Sequence, residues 1–290
     1  MQIILNIITN FFLLLLIAFS FQLIYQATKF FHIAHAIIIT LGAYFTYFFS
    51  IQIDIGIIMS VSLAIICSTL IGWSINKWIY RPLVDKKIDT WKILIVSLGL
   101  YIVFQSIISM IWGDNTKSIR TWEVVTGNEF LGAYITNTQV IIITISILLF
   151  SCAIFFLKKN KLGKQIQAVS SNLELSSIFG ISTQKITSYA FIIGSALASI
   201  GGILIALDTD MTPTMGFNIF LYSVVAMIIG GIYSYKGVIL GSLLLATAQH
   251  LTTYYFDTKW MSTITFVLLI VFLLWKPLGF SGKNLKKVEI

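Results

Sequence analysis

Long apolar stretches, separated by short polar or charged segments, run through the whole chain. A helix needs about 20 mostly apolar residues to cross the hydrocarbon core of a bilayer. The pattern therefore predicts an all-α fold, a polytopic transmembrane helix bundle of about eight or nine spans. The predicted spans are 3–25, 34–51, 55–79, 91–112, 138–157, 186–207, 218–235, 237–256 and 260–276.

Two regions of this pattern predict interrupted helices. The segment around 26–37 is expected to be a broken or re-entrant helix. Interrupted helices occur at membrane depth where they line a cavity. The segment 218–256 is expected to form two short helices with a break at Ser234-Tyr235-Lys236-Gly237. No Pro- or Ser-rich linker divides the chain, so residues 1–290 are expected to form a single transmembrane domain.

Composition excludes a soluble protein. Hydrophobic residues make up 58% of the chain, charged residues only 10%, and the mean hydropathy is +0.93. A soluble domain carries about 25% charged residues, so lipid has to replace water around most of this surface. The first apolar run lacks a cleavage pattern and is expected to stay as a membrane helix. Cys67 and Cys152 lie inside apolar runs, which favours a packing role over a disulfide or a metal site.

Basic residues predict which side of the membrane each connection occupies. The net charge is +8, but the cations form short clusters between apolar runs, which favours membrane topology over nucleic-acid binding. Sixteen of the 19 basic residues fall in 77–92, in 158–185, in the C-terminal tail, or at Lys29 and Lys236. We therefore expect these parts, including the C-terminus, on the cytoplasmic side of a plasma (inner) membrane. Residues 113–137 then form an external loop, and an odd number of crossings places the N-terminus outside.

Motifs for catalysis or for nucleotide binding are absent from the sequence. There is no P-loop, no His-Glu-x-x-His and no Gly-x-Ser-x-Gly. The predicted spans hold almost no ionisable groups away from their ends, which argues against a proton relay. The chain is therefore expected to be neither an enzyme nor a cofactor-binding protein.

His32 and His35 are the first candidates for contact with a solute. Their spacing of three residues would place both on one face of a helix. One interpretation is a substrate or metal contact near a helix break, and the other is hydrogen bonding to neighbouring helices. Two histidines without a nearby carboxylate or Cys make a poor metal site, so a packing role is favoured.

Glycines in two predicted spans also allow two interpretations. Gly194, Gly201 and Gly202 stand among Ser and Ala residues, a composition that lets helices approach closely in lipid. Gly230 and Gly231 precede the predicted break. In one interpretation these two glycines also allow close helix packing. In the other they end a helix, and the backbone groups freed there face a transport pathway.

The connection 158–185 contains an apolar set that a solvated loop would not need. Leu173, Ile178, Phe179 and Ile181 suit a short amphipathic helix that Gly180 would close. Such a helix either lies on the lipid surface or docks into another protein.

Four blocks of the sequence carry a resemblance to known proteins. In chain order they are Phe31-His32-Ile33-Ala34-His35 through Leu41-Gly42-Ala43-Tyr44, then Tyr80-Arg81-Pro82, then Gly163-Lys164-Gln165-Ile166-Gln167-Ala168 through Phe179-Gly180-Ile181-Ser182, and last Gly230-Gly231 through Gly237 and Gly241. In this order the blocks resemble those of one family of permeases, the branched-chain amino-acid class of ABC importers. The departures include His32, where the family has Asn, and Tyr233 and Lys236, where it has Gly and Pro.

This resemblance implies a permease subunit that moves a small polar solute, branched-chain amino acids first among the candidates. It implies four kinds of partner: two ATP-binding-cassette ATPase subunits, which would bind the ATP, a second homologous permease or a copy of this chain, an extracytoplasmic solute-binding protein, and membrane lipid. The residues expected to couple to the ATPase are Gly163, Lys164, Ala168, Leu173, Glu174, Ile178, Phe179 and Gly180. Those expected to line the pathway are His32, His35, Gly42, Tyr44, Gly230 and Gly231.

Two other functions remain as alternatives at this stage. A self-contained secondary carrier or channel for a small solute would need no ATPase, and its uptake would follow an ion gradient. A membrane-embedded enzyme is disfavoured because the sequence offers no paired acid and base and no cluster of ligands.

Overall fold

The computed structural model describes residues 1–120, 127–130 and 132–281. Three lysines of the C-terminal tail, Lys283, Lys286 and Lys287, and part of the predicted external loop 113–137 lie outside these ranges. The helices are α1 (Gln2–Thr28), α2 (His35–Tyr47), α3 (Ile57–Ile75), α4 (Arg81–Asp85), α5 (Thr90–Trp112), α6 (Asn137–Lys159), α7 (Lys161–Ser171), α8 (Leu173–Ile178), α9 (Thr183–Asp208), α10 (Met215–Gly230), α11 (Tyr235–Tyr255) and α12 (Trp260–Trp275). Single π-helical turns, Phe48–Gln52 and Asn76–Tyr80, extend α2 and join α3 to α4.

The predicted all-α membrane bundle is confirmed, because every predicted span falls on a helix. Six helical stretches of the described chain are long and apolar enough to cross a membrane. The apolar helices α10 and α12 are shorter, and α11 is long but carries several Thr, Gln and His residues. The six are Gln2–Thr28, His35–Gln52, Ile57–Asp85, Thr90–Trp112, Asn137–Lys159 and Thr183–Asp208.

Burial separates central helices from lipid-facing ones. In the most apolar 18 residues of each helix, 72% of the residues of α9 and 61% of those of the α2 stretch are buried inside the protein. The corresponding shares are 17% for α6 and 22% for α5. All of these helices are apolar, so their exposed apolar side chains face lipid. The core therefore forms around α1, α2 and α9, and α5, α6 and α12 lie around it.

Glycines allow the central helices to approach closely, as predicted for Gly194, Gly201 and Gly202. A Cβ atom at Gly202 would lie 1.9 Å from the carbonyl oxygen of Ile39 on α2, and one at Gly194 would lie 2.7 Å from Ile24 on α1. Helices in lipid associate mainly through such close packing and through hydrogen bonds between them.

The lysine-rich connections share one end of the bundle, which we call the lysine-rich end: residues 28–30, 80–90, 157–187, 229–237 and 276–281. Three contacts join these segments. The Lys29 ammonium donates to the Ser170 carbonyl, Arg81 donates to Gln184, and the Phe280 N–H donates to the Ile229 carbonyl at 2.9 Å.

At the opposite end lies a two-stranded antiparallel sheet. It pairs β1 (Asn128–Phe130) with β2 (Ala133–Ile135) inside the connection predicted as an external loop. The Gln2 side chain exchanges two hydrogen bonds with the Tyr134 backbone, at 2.9 and 3.0 Å. The N-terminus of α1 is therefore tied to this end of the bundle.

The structure corrects the position of one helix break and refines another. The break predicted at Ser234–Gly237 lies earlier, since α10 ends at Gly230 and α11 begins at Tyr235. Gly231 has a φ of +104°, which ends α10, and the Ser234 hydroxyl caps α11 by accepting from the Gly237 N–H at 3.0 Å. The interruption expected within 26–37 is found at 29–34, between α1 and α2.

The Gly202→Ala substitution is expected to loosen the contact between α9 and α2, because its Cβ has no room beside the Ile39 carbonyl. Overpacking of this kind costs about 1–3 kcal/mol. We expect a lower midpoint of thermal unfolding in detergent. The matched control is Gly99→Ala on lipid-facing α5, where nothing lies within 4 Å of the added Cβ. An equal loss in both variants would contradict the packing role.

Candidate functional site

The connection from α6 to α9 folds into two helices, of which the sequence predicted only the second. An asparagine side chain caps the N-terminus of each of these two helices. The Asn160 Oδ1 atom accepts from the Leu162 N–H at 3.0 Å, and the Asn172 Oδ1 atom accepts from the Leu175 N–H at 3.0 Å. Asparagine is a favoured N-cap because its side chain satisfies an otherwise unpaired helix N–H. We call residues 160–182 the coupling segment.

Helix α7 is the fixed base of the coupling segment. Its Ile166 and Val169 side chains are fully buried against the bundle. The Gln167 Nε2 atom donates to the Leu157 carbonyl of α6 at 2.9 Å. These contacts hold α7 against α6 and α1.

Helix α8 ends in an exposed apolar tip. The Ile178 and Phe179 side chains are 79% and 77% exposed, and Leu175 is 50% exposed. Gly180 closes the helix as predicted, with a φ of +77° that a residue with a side chain rarely adopts. The chain then turns directly into α9, so the tip is held at a fixed place on the lysine-rich end.

The predicted coupling residues divide into an exposed set and an inward set. Lys164 and Glu174 are exposed, together with the tip residues and Gly180. Gly163 instead packs on α6, where a Cβ would lie 2.4 Å from a backbone oxygen. Ala168 and Leu173 are half-buried, and Leu173 lines a cavity of about 110 Å³ against the bundle. Docking onto an ATPase remains a prediction for the exposed set.

His32 lies in the break between α1 and α2 and belongs to a buried hydrogen-bonded group. The Tyr80 hydroxyl donates to the Ser97 Oγ atom at 2.9 Å, and the Ala34 N–H donates to the same oxygen at 2.9 Å. Since the Tyr80 proton is used in this way, His32 Nδ1 is the donor in its 2.9 Å contact with the Tyr80 oxygen. The Tyr80 hydroxyl therefore holds the break to both α3 and α5.

His35, at the start of α2, bonds to α1 instead. The Ser20 hydroxyl donates to the Ile17 carbonyl at 2.7 Å, so His35 Nε2 donates to Ser20 at 2.9 Å. The other ring nitrogens, Nε2 of His32 and Nδ1 of His35, are buried and have no partner among the described residues. The two imidazoles thus leave two acceptor atoms free inside the bundle, with their ring centroids 5.6 Å apart.

Gly42 and Tyr44 are also buried. A Cβ at Gly42 would lie 2.5 Å from the Ser199 carbonyl oxygen, and the Tyr44 ring packs on Trp112 at 5.5 Å. In this conformation both residues, like the two histidines, contact other helices. A role in the pathway therefore remains a prediction for them, and it would require the bundle to open.

The break at Gly230 and Gly231 frees a backbone carbonyl, which neighbouring side chains satisfy. The Ile232 oxygen accepts hydrogen bonds from Gln22 and Gln26 of α1, at 2.9 and 2.8 Å. Gly230 also contacts α11 closely, because a Cβ there would lie 2.3 Å from the Gly237 oxygen. Of the two interpretations of Gly230 and Gly231, both apply, since these glycines end α10 and Gly230 also packs on α11, and in this conformation the freed carbonyl faces α1.

A polar cavity of about 450 Å³ at the opposite end was not predicted. Its wall includes the Asp208 carboxylate, for which the described residues provide no ion pair. Asn10 donates to Gln249 at 3.1 Å, and Gln249 donates to Thr265 at 2.9 Å. The sequence did contain a signal for this cavity, namely single Asn and Gln side chains inside apolar stretches. Such polar side chains are costly in lipid and therefore point to the interior of the bundle. The polar lining residues are Asn6, Thr9, Asn10, Gln139, Asp208, Thr209, Tyr222, Gln249 and His250.

Comparison with known proteins places this chain among permeases. A family model described as "Branched-chain amino acid transport system / permease component" matches residues 3–274. The chain is 28% identical to the high-affinity branched-chain amino acid transport system permease protein LivH of Escherichia coli K12, over 92% of this chain and 91% of that protein. It is 26% identical to the corresponding protein BraD of Pseudomonas aeruginosa, over the same shares.

One solved structure has the same fold. It is PsaBC from Streptococcus pneumoniae in complex with Fab, with a TM-score of 0.53 and 13% sequence identity. The similarity covers 94% of this chain and 91% of that one. At this identity the comparison concerns the helix arrangement alone.

The Tyr80→Phe substitution is expected to destabilise the protein, because it leaves the His32 N–H without an acceptor and removes the bond to Ser97. We expect a loss of about 1–2 kcal/mol, measured as a lower thermal midpoint in detergent. The control is Tyr254→Phe, whose ring is 61% exposed at the opposite end. If Tyr80→Phe unfolds no earlier than this control, the hydrogen-bonded group does not stabilise the break.

Proposed function

Because the chain belongs to the family of permease components of branched-chain amino acid transport systems, we propose that it is the permease subunit of an ABC importer and that its solute is a branched-chain amino acid. The observation that carries this proposal is the family match over nearly the whole helical bundle. The proposed substrate is the one that these relatives transport, and they are 28% and 26% identical to this chain.

The proposed complex contains more than this chain. Two ATPase subunits bind the nucleotide, a second permease or a copy of this chain completes the membrane part, and a solute-binding protein delivers the amino acid. The lysine-rich end faces the cytoplasm, in keeping with the usual distribution of Lys and Arg. The coupling segment then lies on the side where the ATPases are.

The coupling segment is proposed to transmit ATPase motion through its exposed tip. Burying a side chain of the size of Ile178 or Phe179 contributes about 1.5–3 kcal/mol, which suits an anchor in a protein groove. The buried base, α7, gives this tip a firm connection to the bundle. A coupling of this kind requires that the ATPase contact the outward and inward states differently.

The double substitution Ile178→Ala and Phe179→Ala is expected to abolish both retention of the ATPase during purification and ATP-driven uptake, because it removes the apolar anchor. The variant should still insert and unfold normally, since both side chains are more than three-quarters exposed. The measurements are co-purification of the ATPase and uptake of labelled leucine into cells.

The control for this experiment is Met110→Ala with Ile111→Ala. These two neighbours at the far end of α5 are 85% and 62% exposed, so the same kind of apolar surface is removed away from the tip. Normal uptake in the tip variant would refute the docking role and favour an interfacial helix lying on lipid. Uptake that survives ATP depletion and follows an ion gradient would favour a secondary carrier.

The polar cavity at the opposite end is proposed to admit the amino acid. Its size falls within the range of about 300–1,000 Å³ usual for small-molecule sites. Its one carboxylate, Asp208, suits a solute with an ammonium group, and its apolar wall includes Leu13, Leu14 and Ile219. Amide groups from α1 and α11 supply the remaining polar contacts.

The Asp208→Asn substitution is expected to raise the leucine concentration needed for half-maximal uptake about tenfold, because it removes the charge opposite the ammonium group. ATPase co-purification should not change. The matched control is Asp257→Asn, an exposed carboxylate at the same end. If Asp208→Asn leaves the half-maximal concentration unaltered, the cavity is not the entry site.

A further inference from the structure

A second large cavity lies at the lysine-rich end, between α6, α7 and the start of α11. Its volume is about 620 Å³. It is separate from the exposed tip of α8 and from the cavity at the opposite end of the bundle. Helix α1 forms its floor through Gln26, and Ser281, after α12, completes the wall.

One side of this cavity is apolar and continues along lipid-facing helices. Phe150 and Ile154 of α6 and Ile239 of α11 line it. Beneath them, the Phe19 ring of α1 packs between Phe150, at 5.0 Å, and Tyr235, at 5.7 Å. On the same two helices the Phe155 and Leu240 side chains are 66% and 48% exposed, as expected for surfaces that face acyl chains.

The other side is cationic. Lys158, at the end of α6, and Lys236, at the start of α11, both line it. Lys29 approaches from the break after α1, where its Nζ atom lies 4.5 Å from the centroid of the Tyr233 ring and donates to the Ser170 carbonyl. No Asp or Glu lines the cavity, and the described residues offer none of these lysines an ion pair.

The electrostatics of this side favour an anion. Burial lowers the pKa of the Lys29 ammonium to about 8, and a negative charge placed nearby would raise that pKa again. Helix α11 begins at Tyr235 within the cavity wall, and the unpaired N–H groups of a helix N-terminus attract anions. Ser170, Ser171 and Ser234 add hydroxyl donors.

We propose that this cavity binds the phosphate headgroup of an anionic phospholipid. Lys158 and Lys236 flank the phosphate, and the acyl chains follow the apolar groove between α6 and α11. The apolar side distinguishes this site from one for a free anion, which would be surrounded by polar groups. Basic pockets between helices at a membrane surface are suited to such lipids. This inference does not depend on the transported solute.

The test uses the full chain purified and delipidated in neutral detergent, with its thermal midpoint followed as phosphatidylglycerol, phosphatidylcholine or inorganic phosphate is added. We expect phosphatidylglycerol to raise the midpoint more than phosphatidylcholine does. In the Lys158→Gln and Lys236→Gln double variant, the apparent affinity for phosphatidylglycerol should fall about thirtyfold. The Lys158→Arg and Lys236→Arg variant should retain it.

The matched control is Lys86→Gln with Lys185→Gln, which removes the same charge from exposed positions at the same end, outside the cavity. Equal loss in this control, or equal stabilisation by both lipids, would overturn the site. Stabilisation by inorganic phosphate at the same concentrations would overturn the lipid assignment. Native mass spectrometry, counting phosphatidylglycerol molecules retained per chain, gives a second readout that does not depend on unfolding.

Discussion

Lipid offers apolar helices no hydrophobic gain on association, so this bundle depends on close backbone contact and on paired polar atoms. Helix α9 meets that condition on two sides, through Gly194 against α1 and Gly202 against α2. The Ser68 hydroxyl adds a hydrogen bond to Ser199 at 2.6 Å. Packed interfaces of this kind change between discrete arrangements and do not deform continuously. Any opening of the bundle therefore has to move α1, α2 and α9 as a body or separate a complete interface.

The two helix breaks obey the same constraint. At the first, the Ala34 N–H finds Ser97, and at the second the Ile232 carbonyl finds two glutamines of α1. Broken backbone at membrane depth is tolerated where protein groups or water replace the lost bonds. Both breaks are therefore ordered segments whose backbone groups are hydrogen-bonded to neighbouring helices. At the first break the acceptor nitrogens of His32 and His35, and at the second the Gln22 Oε1 atom, have no partner among the described residues, so each would accept a hydrogen bond from water or solute.

Hydropathy alone predicted the membrane-spanning helices, because a membrane span is a local property of about 20 residues. The pattern of apolar and polar residues located the break within 26–37 and the short helix that contains Phe179, and the resemblance to one permease family marked the same segments. The sequence could not reveal how distant residues meet. Helix α7 was missed because its apolar residues are few and its stability comes from α6 and α1. The cavity of about 450 Å³ at the opposite end was missed because Asn10 and Gln249 are 239 residues apart and become partners only through packing.

The coupling segment and the first break are joined by contacts. The exposed tip continues α7, the Ser170 carbonyl of α7 accepts from Lys29, and Lys29 opens the non-helical stretch that carries His32. Contact alone does not establish energetic coupling, which needs an element with two arrangements. The break supplies a candidate for such an element. The Tyr80 hydroxyl has one proton and two hydrogen-bond partners, the Ser97 hydroxyl and the His32 ring. Reversing that hydrogen bond would change the tautomer of His32 and release Ser97. Lys29 thus links α7 to the non-helical stretch in which the hydrogen-bonded group of His32 and Tyr80 lies.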